Sequence, residues 1–237
     1  KKKKIGLDVV PTNEQFSLGE RVIDINVLYN VRSRNIEVTA TRLKPNTRYF
    51  IFMENVNLTG FCIPKLLPIR MVRGSFATGD IVESYKQVQV LGEPNIKFRV
   101  AQSNHRSGAF NNPTKTFSTE PYSNTSLTSA YSSTSTILNV DTSDLADFVK
   151  PDRIGYVIPN MDIVNSDGSA EAEVDSLKLI SDQSGNLIFS LHIPDPKITS
   201  NHKFTTGANT IRITSSPTND LNLLPGEVSA ETVYNAT

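Results

Sequence analysis

The chain has 237 residues, enough for one large domain or two small ones at ~150 residues per domain. Its 24 Lys and Arg residues balance 24 Asp and Glu, which argues against a general nucleic-acid binder, whose basic excess would release counterions from phosphate. A single cysteine, Cys62, excludes an internal disulfide framework or a zinc ribbon, and no apolar run approaches the ~20 residues of a membrane span.

In chain order, alternation with a two-residue period comes first at Asn35–Ala40, where Ile36, Val38 and Ala40 alternate with polar neighbours. Tyr49, Ile51 and Met53 then face one way and Phe50 and Phe52 the other, the pattern of a strand buried on both sides. Val88 and Val90, then Ile96, Phe98 and Val100, flank a turn at Gly92-Glu93-Pro94-Asn95. Leu177 and Leu179, then Leu187, Phe189 and Leu191, flank a hairpin loop at 181–186, and Ile211 and Ile213 precede Ser215-Ser216-Pro217. A last strand-like run covers Glu227 to Tyr234. Short strands between frequent turn signals predict an all-β fold of sandwich or barrel type. Ser143 to Val149 offers at most two helical turns.

From Thr114 to Thr136 most residues are Ser or Thr, a composition that cannot build a core of its own. The organisation expected from this break is an N-terminal β unit at 1–112, an arm or linker at 113–145 and a C-terminal β unit at 146–237. Phe117, Tyr122, Leu127 and Tyr131 recur every four or five residues, spacing expected of an extended arm with anchors rather than of a free spacer. The lysine-rich start and the abrupt end suggest a segment of a longer polypeptide.

Motifs for catalysis are sparse. His105 lies in a polar loop, and His192 is out of phase with Leu191 and Ile193, which predicts an exposed position. No G-x-S-x-G is present. Cys62, between Phe61 and Ile63, reads as a small buried hydrophobe. Asp162-x-x-Asn165-x-Asp167-Gly168, followed by Glu171, Glu173 and Asp175, departs from calcium-loop spacing and reads better as an Asp-Gly turn between strands. The expectation is a protein without catalytic, metal or cofactor-binding residues. A basic group of Arg32, Arg34, Arg42, Lys44, Arg48, Arg70 and Arg73 reads as a solvated face with local ion pairs, or as a docking face for an acidic neighbour.

Two stretches carry resemblance. Leu43-Lys44-Pro45-Asn46-Thr47-Arg48-Tyr49 resembles the L-x-P-x-T-x-Y corner of fibronectin type III-like sandwiches, and implies that Leu43, Pro45, Thr47 and Tyr49 form a turn closed by the tyrosine hydroxyl. Only about 42 residues precede it, too few for the earlier strands of a complete domain. Further along, Arg32-Ser33-Arg34-Asn35-Ile36, Tyr131-Ser132-Ser133-Thr134-Ser135-Thr136-Ile137-Leu138, Ile193-Pro194-Asp195-Pro196 and Ile211-Arg212-Ile213-Thr214-Ser215-Ser216-Pro217 together resemble virion structural proteins of tailed bacteriophages, especially T4-like cyanophages. The resemblance implies a non-enzymatic part of a tail, baseplate or fibre attachment region, located in the virion. It would work through contacts with other tail or baseplate subunits as a homo-oligomer, with no nucleic-acid partner and no membrane insertion. The alternative expectation is a receptor- or glycan-binding adhesin module that uses its loops.

Overall fold

Extended chain with a two-residue period presents one face to a core and the other to solvent, and this pattern organises the molecule. A computed structural model describes residues 29–84, 96–111, 131–145 and 155–236. Val88, Val90 and the turn at 92–95, the arm residues Phe117, Tyr122 and Leu127, and the helical run beyond residue 145 lie outside the described residues. The fold is all-β, with strands β1 (Arg34–Ala40), β2 (Arg48–Met53), β3 (Val56–Asn57), β4 (Cys62–Pro64), β5 (Leu66–Arg73), β6 (Ile81–Ser84) and β7 (Ile96–Arg99). They are followed by β8 (Ile137–Asn139), β9 (Asp162–Asn165), β10 (Glu171–Val174), β11 (Leu179–Ile180), β12 (Leu187–Ile193), β13 (Gly207–Thr214) and β14 (Ser229–Ala236).

A sandwich forms from two sheets. One has the order β1-β12-β4; the other has the order β11-β2-β13-β14, with β3 hairpinned onto β2. Their inner faces share a core in which Tyr49, Ile51 and Met53 of β2 and Ile211 and Ile213 of β13 meet Leu187, Phe189, Leu191 and Ile193 of β12. Phe52 points the other way and is also buried, so β2 is covered on both sides as its sequence suggests.

The third sheet runs β7-β6-β9-β10-β5-β8, and its end strands meet. An antiparallel bridge joins Val100 to Val140. Beside it, the Ala101 N–H donates to Asn139 O (2.8 Å) and the Asp141 N–H to Arg99 O (2.9 Å). The sheet therefore closes into a six-stranded barrel, an arrangement that leaves no unpaired edge. Phe98, Leu67, Leu138, Val82, Ile163 and Met161 lie within its separate core.

The chain thus contains two β bodies, but their boundaries are not those expected from composition. The sandwich takes strands from both ends of the chain: β1 of residues 34–40 pairs with β12 of residues 187–193, and β2 pairs with β13. The barrel, residues 66–174, is inserted between β4 and β11. The expected junction at 113–145 follows β7 in sequence and includes β8; its residues 113–130 lie outside the described residues. Its last third is not an arm, because Ile137–Asn139 pairs with Leu66–Pro68. Strands after residue 178 complete the two sheets around the tyrosine corner.

Strand β12 is buried along its whole length, one face in the sandwich core and the other against the barrel. Replacing Phe189 by Ala should destabilise the protein by about 3–5 kcal/mol, measured by urea denaturation followed by circular dichroism.

Candidate functional site

The corner at 43–49 forms from local hydrogen bonds. The Tyr49 hydroxyl accepts from the Lys44 N–H (2.9 Å) and lies 3.4 Å from Lys44 O. Thr47 Oγ1 donates to Pro45 O (2.9 Å), and buried Leu43 donates its N–H to Gly185 O (2.9 Å). Ser181, from the 181–186 loop, donates its hydroxyl to Lys44 O (2.6 Å) and accepts from the Thr47 N–H (3.1 Å). Gly185 is required here: its φ is +73°, and a Cβ would lie 2.1 Å from Leu43 O. The four motif residues therefore tie the start of β2 to the loop before β12, a structural role.

Buried polar groups concentrate where the sandwich meets the barrel. His192, expected to be exposed, is buried, because β12 is covered on both faces. Asn35 Nδ2 donates to Gly155 O (2.6 Å) and to Ser190 Oγ (2.8 Å). With both amide protons committed, Asn35 Oδ1 is left to accept from His192 Nδ1–H at 2.9 Å. His192 Nε2 is then a lone pair, 3.4 Å from Ser33 Oγ. Tyr156 stacks between Phe61 and His192, with ring centroids 5.0 and 5.7 Å away. Gly155 admits no side chain, since a Cβ would lie 1.9 Å from Asn35 Oδ1.

The serine–histidine–amide order resembles a hydrolase relay in outline, but its electrostatics differ. Burial pulls the His192 imidazole down to about 4, with Asp195 opposing the shift. A base that weak, oriented by a neutral amide, gains little as it takes up a proton. The group acts as a neutral clamp across the two bodies.

Lys65 sits where the chain leaves the sandwich for the barrel, and is 1% exposed. Its N–H donates to Ile188 O (3.0 Å) of the sandwich, its carbonyl accepts from Val140 N (2.8 Å) of the barrel, and its ammonium donates to Val140 O (2.8 Å). Burial lowers its pKa to about 8, opposed by the negative charges of Asp141 and Glu37. His105, which its sequence places in a polar loop, is buried at the same end of the barrel, where desolvation and the charge of Lys65 lower its pKa. Its backbone carbonyl and that of Ser103 accept from Asn139 Nδ2 (2.7 and 3.3 Å). Pairing of β12 with distant strands buries His192, which its own alternation does not reveal.

The remaining sequence features resolve simply. Asn165–Ala170 is a turn between β9 and β10, in which Asp167 Oδ1 accepts from Ser169 N–H (2.8 Å). Glu171 and Glu173 pair with Arg73 (2.8 Å) and Arg70 (2.5 Å) across β10 and β5. Two of the seven basic residues thus serve local ion pairs. Cys62 is buried, with its thiol pKa pushed up by desolvation. Tyr131 is an anchor, but for its own chain: its hydroxyl donates to Ala101 O (2.5 Å) and accepts from Asn139 N–H (3.2 Å).

The surface feature that stands apart is an edge. Among the described residues β14 pairs only with β13, and Ser229 to Val233 are exposed in succession. The barrel has closed its edges; β3, β4 and β11 are two or three residues long; edge strand β1 carries Arg34 and Glu37. Strand β14 has eight residues and one charge, Glu231, which pairs with Arg212 of β13 at 3.2 Å. Val233, Leu221 and Leu224 nearby are 56%, 80% and 68% exposed. Comparison with protein-family models, curated proteins and solved structures returns no match.

Two stability measurements test these assignments. Tyr49→Phe should cost about 1 kcal/mol through loss of the corner hydrogen bonds. Lys65→Met should be more stable than the wild type at pH 7 by about 1–2 kcal/mol, because it removes a buried charge penalty of roughly 3 kcal/mol but leaves Val140 O without its donor. The native pKa lies below the ordinary value of 10.5, so the unfolded state binds more protons between pH 8 and 10.5. Wild-type stability therefore gains from this group as pH rises through that window. The advantage of the variant should shrink and reverse, read as wild-type minus variant stability in denaturation at each pH.

Proposed function

We propose that the protein is a structural component of a bacteriophage tail, baseplate or fibre attachment region, acting through protein–protein contacts in a homo-oligomer. The observation that carries the contact is β14, an eight-residue antiparallel edge with a single charge. Such an edge is a template for another strand, and soluble β proteins normally blunt it with charge, proline, shortness or closure. A second copy fits by register: antiparallel self-pairing centred between Thr232 and Val233 sets Glu231 opposite Tyr234, so no like charges meet. Two interlocked β bodies on either side of a continuous set of backbone bonds form a stiff block, suited to transmitting load between subunits. The link to phage virions rests on the sequence resemblance.

Light scattering over a concentration series should give a defined oligomer for the full chain. Val233→Lys, which places a charge at an already exposed position, should shift it to monomer with unchanged circular dichroism. A wild-type chain that remains monomeric would overturn the assembly reading, and an oligomer indifferent to Val233→Lys would remove β14 from the contact.

A further inference from the structure

On the outer face of the second sandwich sheet, the exposed side chains of Leu221, Leu224 and Val233 gather around one hollow. Leu221 lines the hollow together with Thr210 of β13, and Val233 of β14 is paired with Thr210. Arg212 donates to the carbonyls of Asn219 and Asp220 (3.1 and 2.8 Å), which holds the loop that carries Leu221 and Leu224 against the sheet. Single apolar residues on a surface need no explanation, but a group of them around a hollow marks a docking surface.

The rim of this surface is net negative. Glu54 and Glu231 line the hollow, and Asp220 stands beside Leu221, its carboxylate accepting from Thr218 Oγ1 (2.6 Å). Arg212 is the single cation among the described residues that line it. Its guanidinium is buried and spent on the loop carbonyls and on Glu231. Three carboxylates thus face one inward-turned cation, so the surface suits a segment that combines positive charge with aliphatic side chains.

The chain carries such a segment outside the described residues. Residues 1–10 hold four lysines, Lys1, Lys2, Lys3 and Lys4, against one acid, Asp8, and the aliphatic Ile5, Leu7, Val9 and Val10. The point where the described chain begins lies close by. Tyr29 O accepts from Thr206 N–H (2.9 Å), and Thr210, whose N–H donates to Glu54 Oε1 (2.5 Å), is four residues further along, about 13 Å at the rise of a strand. Residues 11–28 span up to ~60 Å when extended, well beyond that distance.

We infer that residues 1–10 dock on this face of their own chain, the lysines against Glu54, Asp220 and Glu231, and the aliphatic side chains against Leu221, Leu224 and Val233. Each exposed ion pair contributes little by itself. The tether supplies the rest, because a linked segment is present at an effective concentration on the order of millimolar, and a contact of only millimolar affinity is then half occupied. The inference does not depend on assembly through β14, whose edge lies in the plane of the sheet.

Zero-length carbodiimide cross-linking of the full chain, read by peptide mass spectrometry, tests it. Links from Lys1, Lys2, Lys3 and Lys4 should concentrate on Glu54, Asp220 and Glu231 rather than on Asp167 and Asp175, which are exposed carboxylates elsewhere, and should fall as salt is raised. Leu221→Ser combined with Leu224→Ser, both at exposed positions, should lower these links roughly threefold with circular dichroism unchanged. In a mixture of ordinary and isotope-labelled chains, both halves of each linked pair should come from one chain. Links spread evenly over Asp167 and Asp175, links indifferent to the leucine variants, or pairs of mixed label would each overturn the inference. The expected links in a strictly monomeric chain would uphold it while removing the assembly reading.

Discussion

The architecture depends on one passage of chain, Cys62 to Leu66, where a strand of the sandwich becomes a strand of the barrel. Lys65 is the residue at the passage, and each of its polar groups is used there: the N–H toward β12, the carbonyl toward Val140, and the ammonium on Val140 O. Burying an ammonium is costly unless it is compensated; Asp141 and Glu37 compensate only in part, so desolvation still lowers the pKa. An aliphatic residue of similar length would fill the same space. What the lysine adds is a directional bond to the barrel at a point where apolar packing alone, the small cluster of Leu66, Ile137 and Ile188, sets no direction.

Insertion of one body into another is tolerated when the ends of the insert lie close together. Here they do, because the first and last barrel strands are neighbours: β5 pairs with β10, Ile69 opposite Val174, and the Asp175 N–H donates to Pro68 O (3.0 Å). The chain leaves the sandwich at Pro64 and re-enters at Leu179 with little separation to bridge. The Asn35–His192–Gly155 clamp then ties the barrel segment before β9 to β1 and β12. Neither body can separate without breaking buried polar bonds, whose loss would leave unsatisfied groups.

Much of the fold was legible because side-chain alternation is a local property. The runs at 35–40, 49–53, 96–100, 187–191 and 211–213 all form strands, and the Leu43–Tyr49 corner closes through its tyrosine as the resemblance implied. The partners that build the sandwich were not legible, because β1 with β12, β2 with β13 and β4 with β12 join residues more than a hundred positions apart. The Ser/Thr-rich stretch misled for a physical reason. A segment poor in apolar residues marks an excursion from a core equally well whether it joins two bodies or leaves and re-enters one. His192 misled similarly: a polar residue out of phase on a strand faces water only if one side of the sheet is open, and β12 lies between two bodies. Asn35 and Ser190, both polar and both on the same covered face, were the only sequence trace of that network.

The distribution of protection across the sheets bears on function. Closure removes the barrel's edges, the short strands offer too few groups to template another strand, and β1 presents charges. These devices are absent from β14, whose single carboxylate is drawn back onto Arg212. Among the described residues β14 is thus the long edge left bare, where backbone pairing with a neighbouring strand would satisfy exposed N–H and C=O groups. A hollow lined by Phe52, Glu54, Asn55, Arg212, Leu221 and Glu231 lies on the face of the same sheet. Strand addition uses groups in the plane of the sheet, and ligand binding uses side chains perpendicular to it. The two surfaces are therefore geometrically independent, and a subunit paired through β14 would still present the outer face of that sheet.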